Sequence, residues 1–265
     1  MLDAVFERAR AGGRVAFIPY VMAGDPDLAT TQAILVALGD AGVDAIELGM
    51  PYGDPLADGP TVAAAGQRSL AAGTRLSAVL ELIARIAATL PPIVLFTYYN
   101  PVDRFGVERF AKAAAEVGAA GAIVPDVALE ESALLREALL ARGLAMPLLV
   151  APSTPRERAV RIAEATSGFI YVVSRLGVTG AGTAPDLSPL RRQLAMLREL
   201  TAKPLAVGFG ISCAADVAPI ATLADGVVVG SALIDAYAGS KGAEAARRVR
   251  DFVVPLIASG RREPA

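Results

Sequence analysis

Hydrophobic residues along the chain fall into two kinds of stretch that alternate. Short apolar runs are bounded by glycine, proline and aspartate, and longer alanine- and leucine-rich stretches with helical spacing separate them. Apolar runs without polar alternation are typical of parallel strands that are covered on both faces. Eight runs of this kind begin near Ala16, Ala45, Ile93, Gly121, Pro147, Gly168, Pro204 and Gly226.

Strict alternation of strand and helix, eight times in one chain, predicts an α/β fold of the (β/α)8 TIM barrel type. The functional site of such a barrel lies at the C-terminal ends of its strands. A doubly wound open sheet is the alternative, but it requires a glycine-rich dinucleotide turn after the first strand, and Gly24-Asp-Pro26 is not one. Since these barrels commonly reach ~250 residues, we expect residues 1–265 to form a single barrel domain.

Particular elements follow from the same pattern. Leu2, Val5, Phe6 and Ala9 recur at helical spacing, so an extra N-terminal helix is predicted before the first strand, Val15–Val21. Asp27 is a candidate N-cap for a helix that runs to about Leu38. Further helices are predicted at Leu76–Leu90, Val107–Val117 and Glu130–Leu140.

A carboxylate stands in the middle of the second predicted strand. Because side chains alternate between the faces of a strand, Glu47 takes the face opposite to Ile46 and Leu48. If helices cover those two residues, Glu47 points into the barrel. A carboxylate is costly to bury unless it is partnered or its pKa shifts.

The loop that follows this strand, Gly49–Pro60, carries two more acids, Asp54 and Asp58. A buried acid at a strand end, followed by acids on a loop, predicts an acid/base site with Glu47 and Asp58 as the catalytic pair. The alternative is an ion-paired core glutamate followed by aspartates that form turns.

Glycine-bearing turns follow the last three strands. Glycine lets backbone N–H groups approach an anion, and a helix N-terminus adds a partial positive charge. The loops after strands seven and eight are the usual phosphate site of this barrel. Together the turns predict a phosphomonoester substrate, and their residues are Gly177, Gly180 and Gly182, then Gly208 and Gly210, then Gly230 and Ser231.

The amino-acid composition excludes several catalytic mechanisms. The chain has no histidine, which excludes Ser-His nucleophiles, imidazole bases and His-ligated zinc. Schiff-base chemistry needs a lysine in the barrel mouth, and the three lysines, Lys112, Lys203 and Lys241, fall elsewhere in the pattern. A single cysteine offers neither a disulfide framework nor a Cys-based metal site. Metal-assisted chemistry would need an all-carboxylate cluster, which no spacing in the chain supports, so no metal is predicted. Proton transfer by carboxylates remains.

The same composition excludes several partners. The net charge is −2, and no cluster of Lys or Arg interleaves with aromatic residues, so nucleic acid is not expected as a partner. The longest uncharged run, Ile86–Val102, is interrupted by prolines and does not predict a membrane span. Residues 1–10 carry four charges and lack the apolar core of a signal peptide, so a soluble, cytoplasmic protein is expected.

Four motifs in order along nearly the whole chain resemble the tryptophan synthase alpha subunit. That family cleaves indole-3-glycerol phosphate to indole and glyceraldehyde 3-phosphate in a retro-aldol reaction. The second motif is the most specific of the four. The motifs are Phe17-Ile-Pro-Tyr-Val-Met-Ala-Gly-Asp-Pro26, Glu47-Leu-Gly-Met-Pro-Tyr-Gly-Asp-Pro-Leu-Ala-Asp-Gly-Pro60, Ser174-Arg-Leu-Gly-Val-Thr-Gly180 and Gly208-Phe-Gly-Ile211.

The resemblance implies a role for each matching residue. Glu47 would protonate the indole carbon and relay the glycerol hydroxyl proton, and Asp58 would stabilise the charge that develops at the indole nitrogen. The phosphate would lie against Gly180, Gly210, Gly230 and Ser231. The apolar indole pocket would contain Tyr20, Phe96, Tyr171 and Phe209, although each of these aromatics alone fits plain core packing equally well.

The resemblance also implies a partner, a beta subunit that carries pyridoxal phosphate and consumes indole in an alpha2beta2 heterotetramer. This chain itself would need no cofactor. The partner would touch loops at Asp54, Asn100–Gly106 and Asp126. A separate glycine-rich loop, Gly177–Thr183, which contains Thr179, would close over the substrate and couple substrate binding to partner binding.

Three other functions stay open at this point. A stand-alone lyase would share every active-site motif and differ only at the partner surface. An activating subunit without catalysis is disfavoured because both acids and all three glycine turns are present. A sugar-phosphate isomerase or epimerase would turn over a ribose phosphate without indole.

Overall fold

The computed structural model describes residues 2–174, 186–208 and 210–262. Eight strands in these ranges start within two residues of the predicted positions. They are β1 Ala16–Met22, β2 Ile46–Gly49, β3 Ile93–Phe96, β4 Gly121–Ile123, β5 Leu148–Val150, β6 Ile170–Val173, β7 Leu205–Gly208 and β8 Gly226–Val229. All neighbouring pairs are parallel, in the order β4-β3-β2-β1-β8-β7-β6-β5, which confirms the barrel prediction.

Helices separate the strands throughout the described ranges. They are α1 Leu2–Ala11, α2 Leu28–Asp40, α3 Pro60–Ala71, α4 Leu76–Ile86, α5 Tyr99–Phe105, α6 Val107–Glu116, α7 Ala133–Leu140, α8 Arg156–Ala165, α9 Ser188–Leu200, α10 Ala214–Ala221, α11 Ser231–Tyr237 and α12 Gly242–Ser259.

The helix boundaries test the predictions made from sequence. Asp27 caps α2 as expected, because its side chain accepts a hydrogen bond from the Thr30 N–H at 2.7 Å. The helix predicted to begin at Glu130 begins at Ala133 instead. The Ser132 hydroxyl donates to the Leu129 carbonyl at 2.7 Å, so the intervening residues form a turn rather than a first helical turn.

The barrel closes between β4 and the residues just before β5. The Ala122 N–H donates to the Ala145 carbonyl at 2.9 Å, and the Ala145 N–H donates to the Ala120 carbonyl at 3.0 Å. The seam is very tight, because a Cβ added to Gly121 would lie 2.3 Å from the Ala145 carbonyl oxygen. Closure at this point therefore depends on glycine.

The extra N-terminal helix closes the bottom of the barrel. Leu2, Val5, Phe6 and Ala9 of α1 are all buried and belong to the same cluster as the inward-facing strand residues. The Phe6 ring lies 5.4 Å from that of Phe169. With this end filled, the open end of the barrel is the one where the strands terminate.

The helices of the described residues include none that is both long enough and apolar enough to span a bilayer.

Replacing Gly121 with Ala should destabilise the fold, because the new methyl group would push the Ala145 backbone away from the seam. Overpacking of this kind costs about 1–3 kcal/mol, which urea unfolding would measure. The control is Gly53→Ala, since a Cβ there meets no atom of the described residues within 4 Å. Equal stability of the two variants would contradict this account of closure.

Candidate active site

A cavity of about 320 Å³ opens at the C-terminal ends of the strands. Such a volume is at the lower end of those that hold small-molecule ligands. Eight of the residues predicted from sequence line it together, although they come from four strands and from the segments that follow β2, β7 and β8. They are Tyr20, Glu47, Asp58, Phe96, Tyr171, Gly210, Gly230 and Ser231.

Glu47 points into this cavity from the middle of β2. Its neighbours Ile46 and Leu48 are fully buried on the other face, against the helices, which leaves the barrel interior to Glu47. The side chain is only 1% exposed, and its Oε1 atom has no hydrogen-bond partner among the described residues. Burial raises its pKa to about 8, so the carboxyl group is mainly neutral at pH 7.

Asp58 reaches the cavity from the loop after β2, and one tyrosine holds it there. The Tyr98 hydroxyl donates to Asp58 Oδ1 at 2.8 Å and accepts from the Ala57 N–H at 3.1 Å. Burial raises the pKa of Asp58, and the Tyr98 hydrogen bond acts in the opposite direction by stabilising the carboxylate. Two acids in one cavity thus have different surroundings, as paired carboxylates with separate roles require.

Tyr98 was not among the residues predicted from sequence. It follows β3 directly, at the end of the barrel where sites occur, and this position was the available signal. Its ring centroid lies 5.2 Å from that of Tyr52, which belongs to the same loop as Asp58.

Aromatic rings form the wall of the cavity beside Glu47. The rings of Tyr20 and Phe96 meet edge to face, with centroids 5.5 Å apart. Two strand glycines make room for the tyrosines, since an added Cβ would lie 2.1 Å from the Tyr20 hydroxyl at Gly49 and 2.3 Å from the Tyr171 hydroxyl at Gly208. The wall can therefore take a flat apolar ring next to the buried acid.

Glycines and the start of α11 also line the cavity. Gly210 has a φ of 80°, in the left-handed region that favours glycine. Gly230 precedes α11, and Ser231 is its first residue. The first N–H groups of a helix have no partner within it, so they can bind an anion.

Among the described residues that line the cavity there is no Lys or Arg, so any phosphate here would be held by backbone dipoles and a hydroxyl group. Asp235, one turn into α11, also lines the cavity and was not predicted from sequence.

Two of the predicted coupling residues lie outside the cavity. Asp54 is exposed on the loop that carries Asp58, next to Leu56, which is 81% exposed. Asp126 follows β4, and its carboxylate accepts hydrogen bonds from the Tyr99 N–H at 2.9 and 3.1 Å.

The prediction of a loop at 100–106 is wrong, because residues 100–105 belong to helix α5. Pro101 fits the first turn of a helix, where no N–H donor is needed. Thr179, Gly180 and Phe209 lie outside the described residues.

Two observations among the described residues concern lysine and metal chemistry. Lys203 donates to the carbonyls of Ala163 at 2.6 Å and Thr166 at 2.5 Å, at the N-terminal end of the barrel and away from the cavity. Within the described ranges, no three Asp, Glu or Cys side chains form a group that could hold a metal ion.

The chain is similar to proteins of one known family. The family model described as "Tryptophan synthase alpha chain" matches residues 6–255. The tryptophan synthase alpha chain of Gloeobacter violaceus is 48% identical over 250 residues, which cover 94% of this chain and 90% of that one.

Solved structures agree with this assignment. A tryptophan synthase structure from M. tuberculosis superimposes with a TM-score of 0.90 at 35% identity, over 99% of this chain and 98% of the other. A tryptophan synthase complex from Pyrococcus furiosus gives a TM-score of 0.83 at 35% identity, over 92% and 99%. The chain belongs to the tryptophan synthase alpha chain family.

Proposed function

We propose that this chain is a lyase that cleaves indole-3-glycerol phosphate to indole and glyceraldehyde 3-phosphate, as the alpha subunit of a tryptophan synthase. The observation that carries the proposal is Glu47, a buried and mainly neutral acid in a cavity between an aromatic wall and a glycine-lined end. A substrate that carries both an aromatic ring and a phosphate matches a cavity lined by aromatic rings and by glycines at the start of a helix.

In this mechanism Glu47 acts first as an acid and then as a base. Its carboxyl proton goes to the indole carbon that bears the glycerol chain, and the carboxylate so formed takes the glycerol hydroxyl proton. The carbon–carbon bond then breaks, its electron pair returns to the indole ring, and the hydroxyl carbon becomes the aldehyde. Glu47 ends protonated again, so the cycle consumes no external acid. A pKa near the working pH suits a group that must both donate and accept a proton.

Asp58 takes the second role. Protonation at carbon places positive charge on the indole nitrogen, and a carboxylate held by Tyr98 stabilises that charge where it develops. Tyr20, Phe96 and Tyr171 would hold the indole ring, and Gly210, Gly230 and Ser231 would hold the phosphate. Thr179, Gly180 and Phe209 keep the binding roles that the family resemblance implies.

The proposed partner is a beta subunit in an alpha2beta2 assembly, with pyridoxal phosphate bound to the partner and no cofactor on this chain. The resemblance to a tryptophan synthase complex from Pyrococcus furiosus supports it. Exposed Asp54 and Leu56 on the Asp58 loop, together with Asp126, would face that subunit. We further propose that residues 1–265 form one domain. We also propose that the enzyme is cytoplasmic, and cell fractionation would test this location.

The deciding experiment is an indole-release assay with indole-3-glycerol phosphate, with and without the beta subunit. Indole should appear in the presence of a chelator, because the mechanism uses only carboxylates, and the partner should raise the rate. Release at the same rate with and without partner would favour a stand-alone lyase. Turnover of a ribose phosphate but not of the indole substrate would refute the proposal.

Replacing Glu47 with Gln should lower kcat by roughly 10²-fold or more, because the amide keeps the shape but carries no transferable proton. Substrate should still bind, since the aromatic wall and the glycine end are unchanged. The matched control is Glu81→Gln, the same change at an exposed position on α4. A Glu47→Gln enzyme with near-parental kcat would remove Glu47 from the mechanism.

Replacing Tyr98 with Phe should move the acidic limb of the pH profile of kcat/KM to higher pH. The Tyr98 hydrogen bond lowers the pKa of Asp58, so its loss raises that pKa, and the charged form is lost earlier as pH falls. The basic limb, set by Glu47 near pH 8, should stay in place. The control is Tyr99→Phe, because Tyr99 makes its Asp126 contact through its backbone N–H. An unmoved acidic limb would mean that Asp58 is not the group titrating there.

A further inference from the structure

A second buried carboxylate, Asp25, lies outside the cavity and takes no part in the mechanism. It follows β1 by three residues and is 1% exposed. Its two oxygens accept a bidentate pair of hydrogen bonds from Arg68, with Nε to Oδ1 and Nη2 to Oδ2 both at 2.7 Å. The Tyr237 hydroxyl donates to Oδ2 over a longer distance of 3.4 Å.

The two partners of Asp25 belong to two helices that each begin beside residues lining the cavity. Arg68 is in the last turn of α3, which begins two residues after Asp58. Tyr237 is the last residue of α11, which begins at Ser231. The two helices pack against each other, and both pack against β1. Asp25 is therefore bonded to the far end of each helix.

Other contacts fix α3 at the same place. The Ser69 hydroxyl donates to the Ala23 carbonyl at 2.6 Å. Gly24 lies so close to this helix that an added Cβ would be 2.5 Å from the Ser69 hydroxyl oxygen. A helix of twelve residues is about 18 Å long, so a change of tilt at Arg68 is transmitted to the loop that presents Asp58.

We propose that Asp25 is a positioning residue that joins α3 to α11 and so keeps the Asp58 end and the Gly230–Ser231 end of the cavity in register. The inference rests on the proposed function, because the substrate must touch both ends at once. The Arg68 contact maintains the position of Asp58, and the Tyr237 contact maintains the phosphate end.

The proposal predicts that one conservative variant lowers mainly kcat and that another weakens mainly phosphate binding. Lysine cannot reproduce the bidentate pair, so Arg68→Lys should lower kcat about tenfold while the affinity for inorganic phosphate changes little. Tyr237→Phe removes only a long hydrogen bond, so it should weaken phosphate binding about twofold to threefold and leave kcat near the parental value. Asp25→Asn should produce both effects.

The experiment measures kcat and KM for indole release, inorganic phosphate binding by calorimetry, and the thermal midpoint of each variant. The control is Arg248→Lys, which alters an exposed ion pair with Glu244 on α12. A purely structural role would lower the thermal midpoints and leave the kinetic and binding constants of the folded protein unchanged. That result, or parental constants in Asp25→Asn, would overturn the proposal.

If Asp25→Asn does not fold, Arg68→Lys and Tyr237→Phe still test the proposed link between the helices. A kcat effect confined to Arg68→Lys and a phosphate effect confined to Tyr237→Phe support the link, and equal effects on both constants refute it. If the parent protein releases no indole, the proposed function fails, and phosphate binding still tests the Tyr237 arm. Weakened phosphate binding in Tyr237→Phe would then support that arm, and unchanged binding would refute it.

Discussion

The burial of one carboxyl group inside the barrel governs the rest of the site. Glu47 has Tyr20 and Val94 as its strand neighbours, and its Oε1 atom lacks a hydrogen-bond partner among the described residues. Such a group is stable there mainly in its neutral form, because a charge in this position would lose its hydration without compensation. The proton held in this way is the one that the proposed cleavage needs.

The barrel that surrounds Glu47 is filled at its N-terminal end and open at its C-terminal end. Helix α1 fills the N-terminal end of the barrel with Phe6 and its neighbours, and the Gly121 seam closes the sheet. Among the described residues, the end of the barrel that stays open is the one where the strands end, beside the aromatic wall and the first turn of α11. Because Asp58 lies on the loop before α3 and Ser231 is the first residue of α11, their separation depends on packing between these helices, and Asp25 lies at that junction.

Strand positions, the barrel and the presence of Glu47 and Asp58 in one cavity could be predicted from sequence because each depends on local pattern or on one specific motif. Tyr98 and Arg68 could not, since their significance comes from partners about 40 residues away, Asp58 and Asp25. Helix α5 was missed because Asn100-Pro101 is also typical of a turn. The Gly121 seam depends on a backbone approach to Ala145 that no side-chain pattern encodes.

The central claim, a neutral Glu47 in the resting enzyme, can be measured directly by infrared difference spectroscopy of the carboxyl C=O stretch between parent and Glu47→Gln protein across a pH titration. The protonated carboxyl band should persist at pH 7 and disappear with a midpoint near 8. A midpoint near 4.5, the ordinary pKa of a glutamate side chain, would contradict the account, because Glu47 would then be a solvated or paired carboxylate with no proton to deliver.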